Sequence, residues 1–185
     1  KVSYTPKPLQ KDLPQFSVEI LMYMRGYGTF GTFFEGRIAC LTDSGIPNKF
    51  RIYAGWSGGD GYWDVPITLN QWNHIVITYN TSSSSNNPLV WINGVSITVT
   101  RSVGPSGSKN ADGSTFLIGN FPGGTRAFEG NICFARLRNY LLSAGEIAQL
   151  YADPFQIYNK RNGWLSYYTA PTTTGSRLLT LVGVG

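Results

Sequence analysis

The segment 128–154 constrains the fold most, because it joins one alternating strand, through a turn, to a capped helix. Ser143 followed by Glu146 has the spacing of a capping box: the serine oxygen accepts from an orphan backbone N–H, and the glutamate reaches back to the N–H of the cap residue. Leu142, Ile147, Leu150 and Tyr151 then fall at helical spacing, and Pro154 stops the helix. Elsewhere the patterning is that of strands. One short helix closing a β-patterned chain predicts an all-β fold.

The 185 residues fit one domain, and a 42% hydrophobic content supplies a substantial core, so the chain as a whole is not disordered. Gly 22, Tyr 11 and Phe 10 against 14% charged residues indicate many turns between aromatic-rich strands, as in sandwiches. No apolar run reaches the length of a membrane-spanning helix, and no basic-then-apolar leader opens the sequence. Membrane insertion is therefore not expected. The first residue is Lys1, as in a processed, trimmed or excised chain.

The net charge of +5 (15 basic, 10 acidic) is unevenly spread. No acidic residue follows Asp153, whereas Lys160, Arg161 and Arg177 do. Nucleic-acid binding calls for a denser basic cluster with interleaved aromatics than Lys160-Arg161 beside Tyr158 and Trp164, and is not expected. Two cysteines and one histidine do not make a tetrahedral zinc site. Cys40 and Cys133 are expected as free, partly buried thiols, with a single bridge as the alternative.

Strand signals recur along the chain. In residues 16–25, Phe16, Val18, Ile20, Met22 and Met24 alternate with Ser17, Glu19, Tyr23 and Arg25, which predicts a half-buried strand broken only at Leu21. Residues 37–41 and 50–54 read as the next two strands, and the β-branched run 73–79 as a central one. Asn93-Gly94 between alternating flanks predicts a type I′ hairpin, since both turn residues need positive φ. Residues 82–87 and 103–114 read as polar loops, and 116–119 as a short strand. From Phe155 onward no period is clear, and residues 170–175 look like an extended linker ahead of an apolar tip. The chain thus divides into a sandwich, 1–154, and an extended, partner-docking tail, 155–185.

Several of these pieces recur together in a known pattern. Gln71-Trp72-Asn73-His74-Ile75-Val76, then Val90-Trp91-Ile92-Asn93-Gly94, then Leu117-Ile118-Gly119, then Phe128, Gly130 and Ile132 through Leu142-Ser143 and Glu146-Ile147 resemble the concanavalin A-like jelly roll, in particular its laminin-G-like branch. The resemblance spans about residues 15–153. It implies two stacked antiparallel sheets forming a jelly-roll sandwich, with the helix packed at one edge. Lectins, adhesion domains, glucanases and virion proteins share this fold, so fold alone does not settle function. Residues 153–157 also look like the ends of laminin-G-like domains in phage structural proteins.

Glucanases of this fold carry two strand carboxylates spaced Glu-x-Asp-x-x-Glu, for nucleophile and acid roles. No Glu-x-Asp occurs here, and Glu35, Glu129 and Glu146 stand isolated, so the chain is not expected to be an enzyme. His74, the only histidine, reads as a packed, hydrogen-bonded residue. Calcium is a candidate ligand by resemblance, through Asp43, Asp60, Asp64 and Asp112 with loop carbonyls, although Cys133-Phe134 stands where related domains often carry acids. The loop 56–64 offers aromatic faces and polar groups for a sugar, which makes Trp56, Asp60, Tyr62, Trp63 and Asp64 the candidate glycan site. Trp72 and Trp91 are expected to pack inside or along the sheets.

The tail combines aromatics, cations and an apolar end, which marks a contact surface. Tyr158, Lys160, Arg161, Trp164, Tyr167, Leu178, Leu179 and Val182 are the candidate subunit contacts. The leading functional expectation is a non-catalytic virion structural protein, a capsid decoration or a tail or fibre component. It would be homo-oligomeric, exposed at the virion surface, and able to bind a cell-surface glycan. The alternative is a secreted, calcium-assisted carbohydrate-binding module.

Overall fold

Alternation along the strands decides which side of each is buried. In the computed structural model, which describes residues 2–4, 12–111, 116–121 and 123–158, the strands form two antiparallel sheets. They are β1 (Val2–Tyr4), β2 (Gln15–Met24), β3 (Thr32–Glu35), β4 (Ala39–Thr42), β5 (Lys49–Ala54) and β6 (Gly61–Pro66). After these come β7 (Trp72–Asn80), β8 (Leu89–Ile92), β9 (Val95–Ile97), β10 (Thr100–Val103), β11 (Phe116–Ile118) and β12 (Gly130–Arg138). The helix α1 (Ala144–Ala152) and a 3₁₀ turn (Gln156–Tyr158) follow. One sheet has the order β1-β11-β3-β4-β5-β6-β10 and the other β12-β2-β7-β8-β9.

The inward side chains of the two sheets meet in one core. Phe16, Val18, Ile20, Met22 and Met24 of β2, with Ile75, Ile77 and Tyr79 of β7, pack against Phe33, Phe50, Ile52, Trp63 and Val65. Phe33 meets Phe50, and Trp63 meets Tyr79, in edge-to-face contacts with ring centroids 5.4 Å apart. That geometry suits the ring quadrupoles. As the β-branched run implies, β7 is the central strand of its sheet.

The outer face of the five-stranded sheet departs from the half-buried strand expected of residues 16–25. Ser17 and Glu19 of β2 are fully buried. The reason is α1, whose Ile147 and Leu150 pack with Leu142 against Val76 and Trp91 on that face. The helix begins as the sequence predicts: Glu146 N donates to Ser143 Oγ at 3.3 Å, and Ser143 N donates to Glu146 Oε2 at 2.7 Å. Beneath it, Glu19 Oε1 lies 3.0 Å from His74 Nε2 and 3.1 Å from Arg136 Nη1, and Glu19 Oε2 lies 2.8 Å from Arg138 Nη1. His74 is accordingly packed and hydrogen-bonded, as its apolar strand implies.

The hairpin is also as predicted: Asn93 has φ 52 and Gly94 φ 77, joining β8 to β9. A Cβ at Gly94 would meet the Tyr151 ring at 2.7 Å, so this glycine serves both the turn and the approach of α1. Other boundaries moved. Arg37 lies in the turn before β4, where its guanidinium donates to Leu13 O, Asn110 O and Thr81 Oγ1. The chain crosses from one sheet to the other after Ile97, so residues 95–100 do not form one strand, and 100–103 pairs with β6. Cys40 is buried and Cys133 exposed, and both thiols are free.

Candidate functional site

Four strands of the seven-stranded sheet place one residue each in a straight row on its outer face. Glu35 pairs with Ala39, Ala39 with Tyr53, and Tyr53 with Tyr62. Their inward neighbours Phe34, Cys40, Ile52, Ala54 and Trp63 all lie in the core, which fixes the row outward by the two-residue period of a strand. The small side chain of Ala39 leaves a gap between Glu35 and Tyr53. A pocket of about 180 Å³ opens there, lined by Glu35, Ala39, Tyr53, Gly55, Lys109 and Asn110 among others.

The pocket wall is built from two loops stitched together. Ser57 N donates to Ser108 O at 2.9 Å, Gly58 N to Ser106 O at 3.0 Å, and Asn110 N to Gly55 O at 3.1 Å. The Arg37 guanidinium anchors the far loop through Asn110 O. Polar atoms converge at Gly55: a Cβ placed there would lie 3.1 Å from Asn110 Nδ2, 3.4 Å from the Tyr53 hydroxyl and 3.7 Å from Asp60 Oδ1. A side chain at Gly55 would crowd the Asn110 amide.

The pocket's titratable groups are perturbed by burial. Burial pushes the Glu35 carboxyl up to about 7, with the nearby Arg126 charge acting against it, and Glu35 Oε2 has no hydrogen-bond partner among the described residues. Burial and the hydrogen-bonded Asp60 carboxylate push the Tyr53 hydroxyl up to about 12. Tyr53 stands 5.4 Å from Tyr62 between ring centroids, and the Arg51 guanidinium lies 5.5 Å over Tyr62. The site therefore presents a hydroxyl, an amide and two carboxyls beside two tyrosine rings.

This arrangement corrects the reading of residues 56–64 as one flexible recognition loop. Its second half is β6, and Trp63 points inward, 0% exposed, its Nε1 donating to Asn87 Oδ1 at 2.8 Å. Trp56 is 4% exposed and belongs to the same core. Neither indole offers a face to a sugar. Asp64 is buried against Arg51, with oxygens 2.7 and 3.2 Å from its nitrogens. Asp60 and Tyr62 remain at the site. Glu35 and Tyr53 join them; neither was singled out from sequence as a site residue, although the alternation of residues 50–54 carries a signal for Tyr53, whereas β3 is too short to read.

The candidate calcium ligands do not come together. Asp43 accepts from Gly45 N within its own turn, Asp60 from Trp56 N, and Asp64 is held by Arg51; Asp112 lies outside the described residues. Among the described residues no group of three or more His, Cys, Asp or Glu side chains is placed to hold a metal ion. No helix among them is long and apolar enough to cross a membrane. Of the candidate subunit contacts, Tyr158 ends the 3₁₀ turn, while Lys160, Arg161, Trp164, Tyr167, Leu178, Leu179 and Val182 lie outside the described residues.

Comparison with known proteins agrees with this architecture. A family model of the concanavalin A-like lectin/glucanases superfamily matches residues 4–148. No curated protein sequence matches. Among solved structures, the native heptameric SAP-like pentraxin from Limulus polyphemus is 15% identical with a TM-score of 0.52, over 75% of this chain and 70% of that one. A protein described as carbohydrate-binding from Bacteroides ovatus is 17% identical with a TM-score of 0.58, over 80% of this chain and 43% of that one. Botulinum neurotoxin type C, whose cell entry depends on interaction with two ganglioside molecules, is 13% identical with a TM-score of 0.57. It is covered over 39% of its length and 81% of this chain, so this chain spans less than half of the latter two proteins. At such identities the likeness speaks for fold. With its two facing sheets and the match over 4–148, the chain belongs to the concanavalin A-like lectin/glucanases superfamily.

Proposed function

We propose that this protein is a non-catalytic carbohydrate-binding sandwich that takes a sugar ring in the Glu35–Tyr53 pocket. The observation that carries the reading is the convergence of the Tyr53 hydroxyl, Asp60 Oδ1 and Asn110 Nδ2 in a pocket lined by Tyr53, with the Tyr62 ring beside it, and by Glu35, whose Oε2 has no hydrogen-bond partner among the described residues. Sugars combine hydroxyl groups, which need such donors and acceptors, with C–H faces that pack on aromatic rings. Related folds described as binding carbohydrate or ganglioside support the same class of ligand. The test is binding of the parent chain and Tyr53→Ala to a broad oligosaccharide panel, with calcium and with chelator. The expected result is binding that Tyr53→Ala weakens at least tenfold, about 1.4 kcal/mol. Because no group of three or more His, Cys, Asp or Glu side chains among the described residues is placed to hold a metal ion, chelator should leave binding unchanged. A parent chain that binds no sugar, or a variant that binds as well, contradicts the reading.

A second reading, assembly as a subunit of a virion surface structure, draws support from the end of the sandwich. Tyr151, Phe155 and Ile157 are exposed where the chain runs into its tail, and large exposed apolar side chains mark contacts. In this reading the tail docks on a neighbouring copy, and the pocket faces outward toward a cell-surface glycan.

A further inference from the structure

We infer a second, independent sugar-stacking site on the opposite sheet, built on Trp72 and Tyr23 and taking a pyranose ring. Three strands of the five-stranded sheet place Asn131, Tyr23 and Trp72 in one row: Asn131 pairs with Tyr23, and Tyr23 with Trp72. All three point away from the core, because their neighbours Met22 and Met24 point into it and His74, two residues along β7, lies on the face covered by α1. The helix covers the sheet around Val76 and Trp91, and Tyr151 stacks on His74 at 6.0 Å. The row around Trp72 lies beyond that cluster, and 49% of Trp72 is exposed. Of the two tryptophans expected to pack inside or along the sheets, Trp72 lies along the outer face and is half exposed.

The indole is held, not loose. Tyr23 meets it edge-on, with ring centroids 5.9 Å apart and planes at 71°. Such a contact restrains the indole, so less side-chain entropy remains to be lost on binding. Polar side chains border the row. Arg25 Nη2 donates to Asn131 Oδ1 at 3.2 Å, which leaves the Asn131 amide nitrogen as a donor, and Gln71 precedes Trp72 in the chain. An aromatic plane edged by an amide and a guanidinium matches a pyranose, with its flat C–H face and ring of hydroxyls. A protein partner fits less well. A stable protein interface covers about 800 Å² per partner, whereas one Trp and one Tyr bury at most about 150–250 Å² each. The exposed Arg25 and Asn131 around them would have to be desolvated.

The inference rests on the carbohydrate-binding reading only for the class of ligand; the two sites are separate. With Tyr53 on one sheet and Trp72 on the other, a chain using both binds two sugars at once. The test is calorimetric titration of cello-, xylo- and chito-oligosaccharides into the full chain, Trp72→Ala, Trp72→Phe and Tyr53→Ala. Tryptophan emission is followed in parallel, and mass by light scattering. The expected result is two sites in the parent, one in Trp72→Ala and one in Tyr53→Ala. Trp72→Phe should keep the second site at about tenfold lower affinity, and the sugar-induced emission change should vanish in both Trp72 variants. Since Trp72 is half exposed, unchanged thermal melts should accompany these losses. Trp72→Ala that keeps the parent's stoichiometry overturns this site and leaves the pocket standing. Loss of all binding in Trp72→Ala with Tyr53→Ala unaffected overturns the pocket and supports this site. A parent that binds none of the sugars overturns both sites, and a Trp72→Ala change that alters only the oligomeric mass overturns this one.

Discussion

Two lone glutamates on strands behave in opposite ways because of what surrounds them. At Glu19 burial raises the carboxyl pKa, but the His74 hydrogen bond and the charges of Arg138 and Arg136 outweigh it, and the net shift is downward from 4.5. A depressed carboxyl stabilises the fold above its unfolded value and loses that contribution as pH falls through its folded value. Unfolding should therefore steepen below pH 4.5, and Glu19→Ala should remove that acid limb. The same change leaves two partly exposed guanidinium groups and the buried His74 without their carboxylate, so urea unfolding at pH 7 should show a loss at or below the low end of the range for a buried pair, about 3 kcal/mol. At Glu35 the shift is upward, from 4.5 to about 7, because burial exceeds the help from Arg126. The folded state then holds the proton more tightly, and stability falls as pH rises from 4.5 toward 7. Glu35→Gln should flatten the melting temperature across that window and melt above the parent at pH 8; a parallel decline in both proteins contradicts it. Neither behaviour was legible in the sequence. Glu35 read as an isolated acid and Glu19 as a polar position of a half-buried strand, and their partners come from distant parts of the chain: Arg136 lies 117 residues from Glu19.

Among the elements, those with local chemical signatures were legible and those defined by pairing were not. The capping box of α1 and the Asn93-Gly94 turn stand where the sequence puts them, since each rests on neighbouring residues. Ser143→Ala should cost about 1 kcal/mol in denaturant unfolding, the usual worth of a helix cap. A loss no larger than that of an exposed Ser→Ala change elsewhere would show that packing against Val76 and Trp91 alone holds the helix. By contrast, β3 is only Thr32–Glu35, too short for alternation to register, and β6 begins at Gly61 and ends at Pro66, residues that read as turn signals. Missing β6 had a consequence for the site. Read as a loop, residues 56–64 displayed two tryptophans; as a strand, period two sends Trp63 inward and Tyr62 outward. The order of chemical groups was visible, but not the side to which each one points.

At the scale of the molecule, the two sheets leave two outer faces with different cover. One carries α1 over its buried ion cluster and an exposed Trp72 beyond it; the other carries the open row from Glu35 to Tyr62. The jelly-roll class was legible from the ordered set of strand, hairpin and helix signals, because each piece constrains its neighbours. The pocket was not, because it depends on the small Ala39 lying between Glu35 and Tyr53 in a register that only pairing sets. In the second reading proposed above, the chain after Tyr158 serves assembly rather than folding. Truncation there should leave the melting transition intact while lowering the mass measured by light scattering; an unchanged oligomeric mass contradicts a docking tail. The central claim is that a sugar occupies the gap above Ala39, and the most direct measurement is calorimetric titration of Ala39→Phe with the best-binding oligosaccharide of the parent. Filling the gap without touching Glu35, Tyr53, Asp60 or Asn110 should abolish binding at that site while the protein still folds, and a folded Ala39→Phe that binds with parental affinity there would contradict the account.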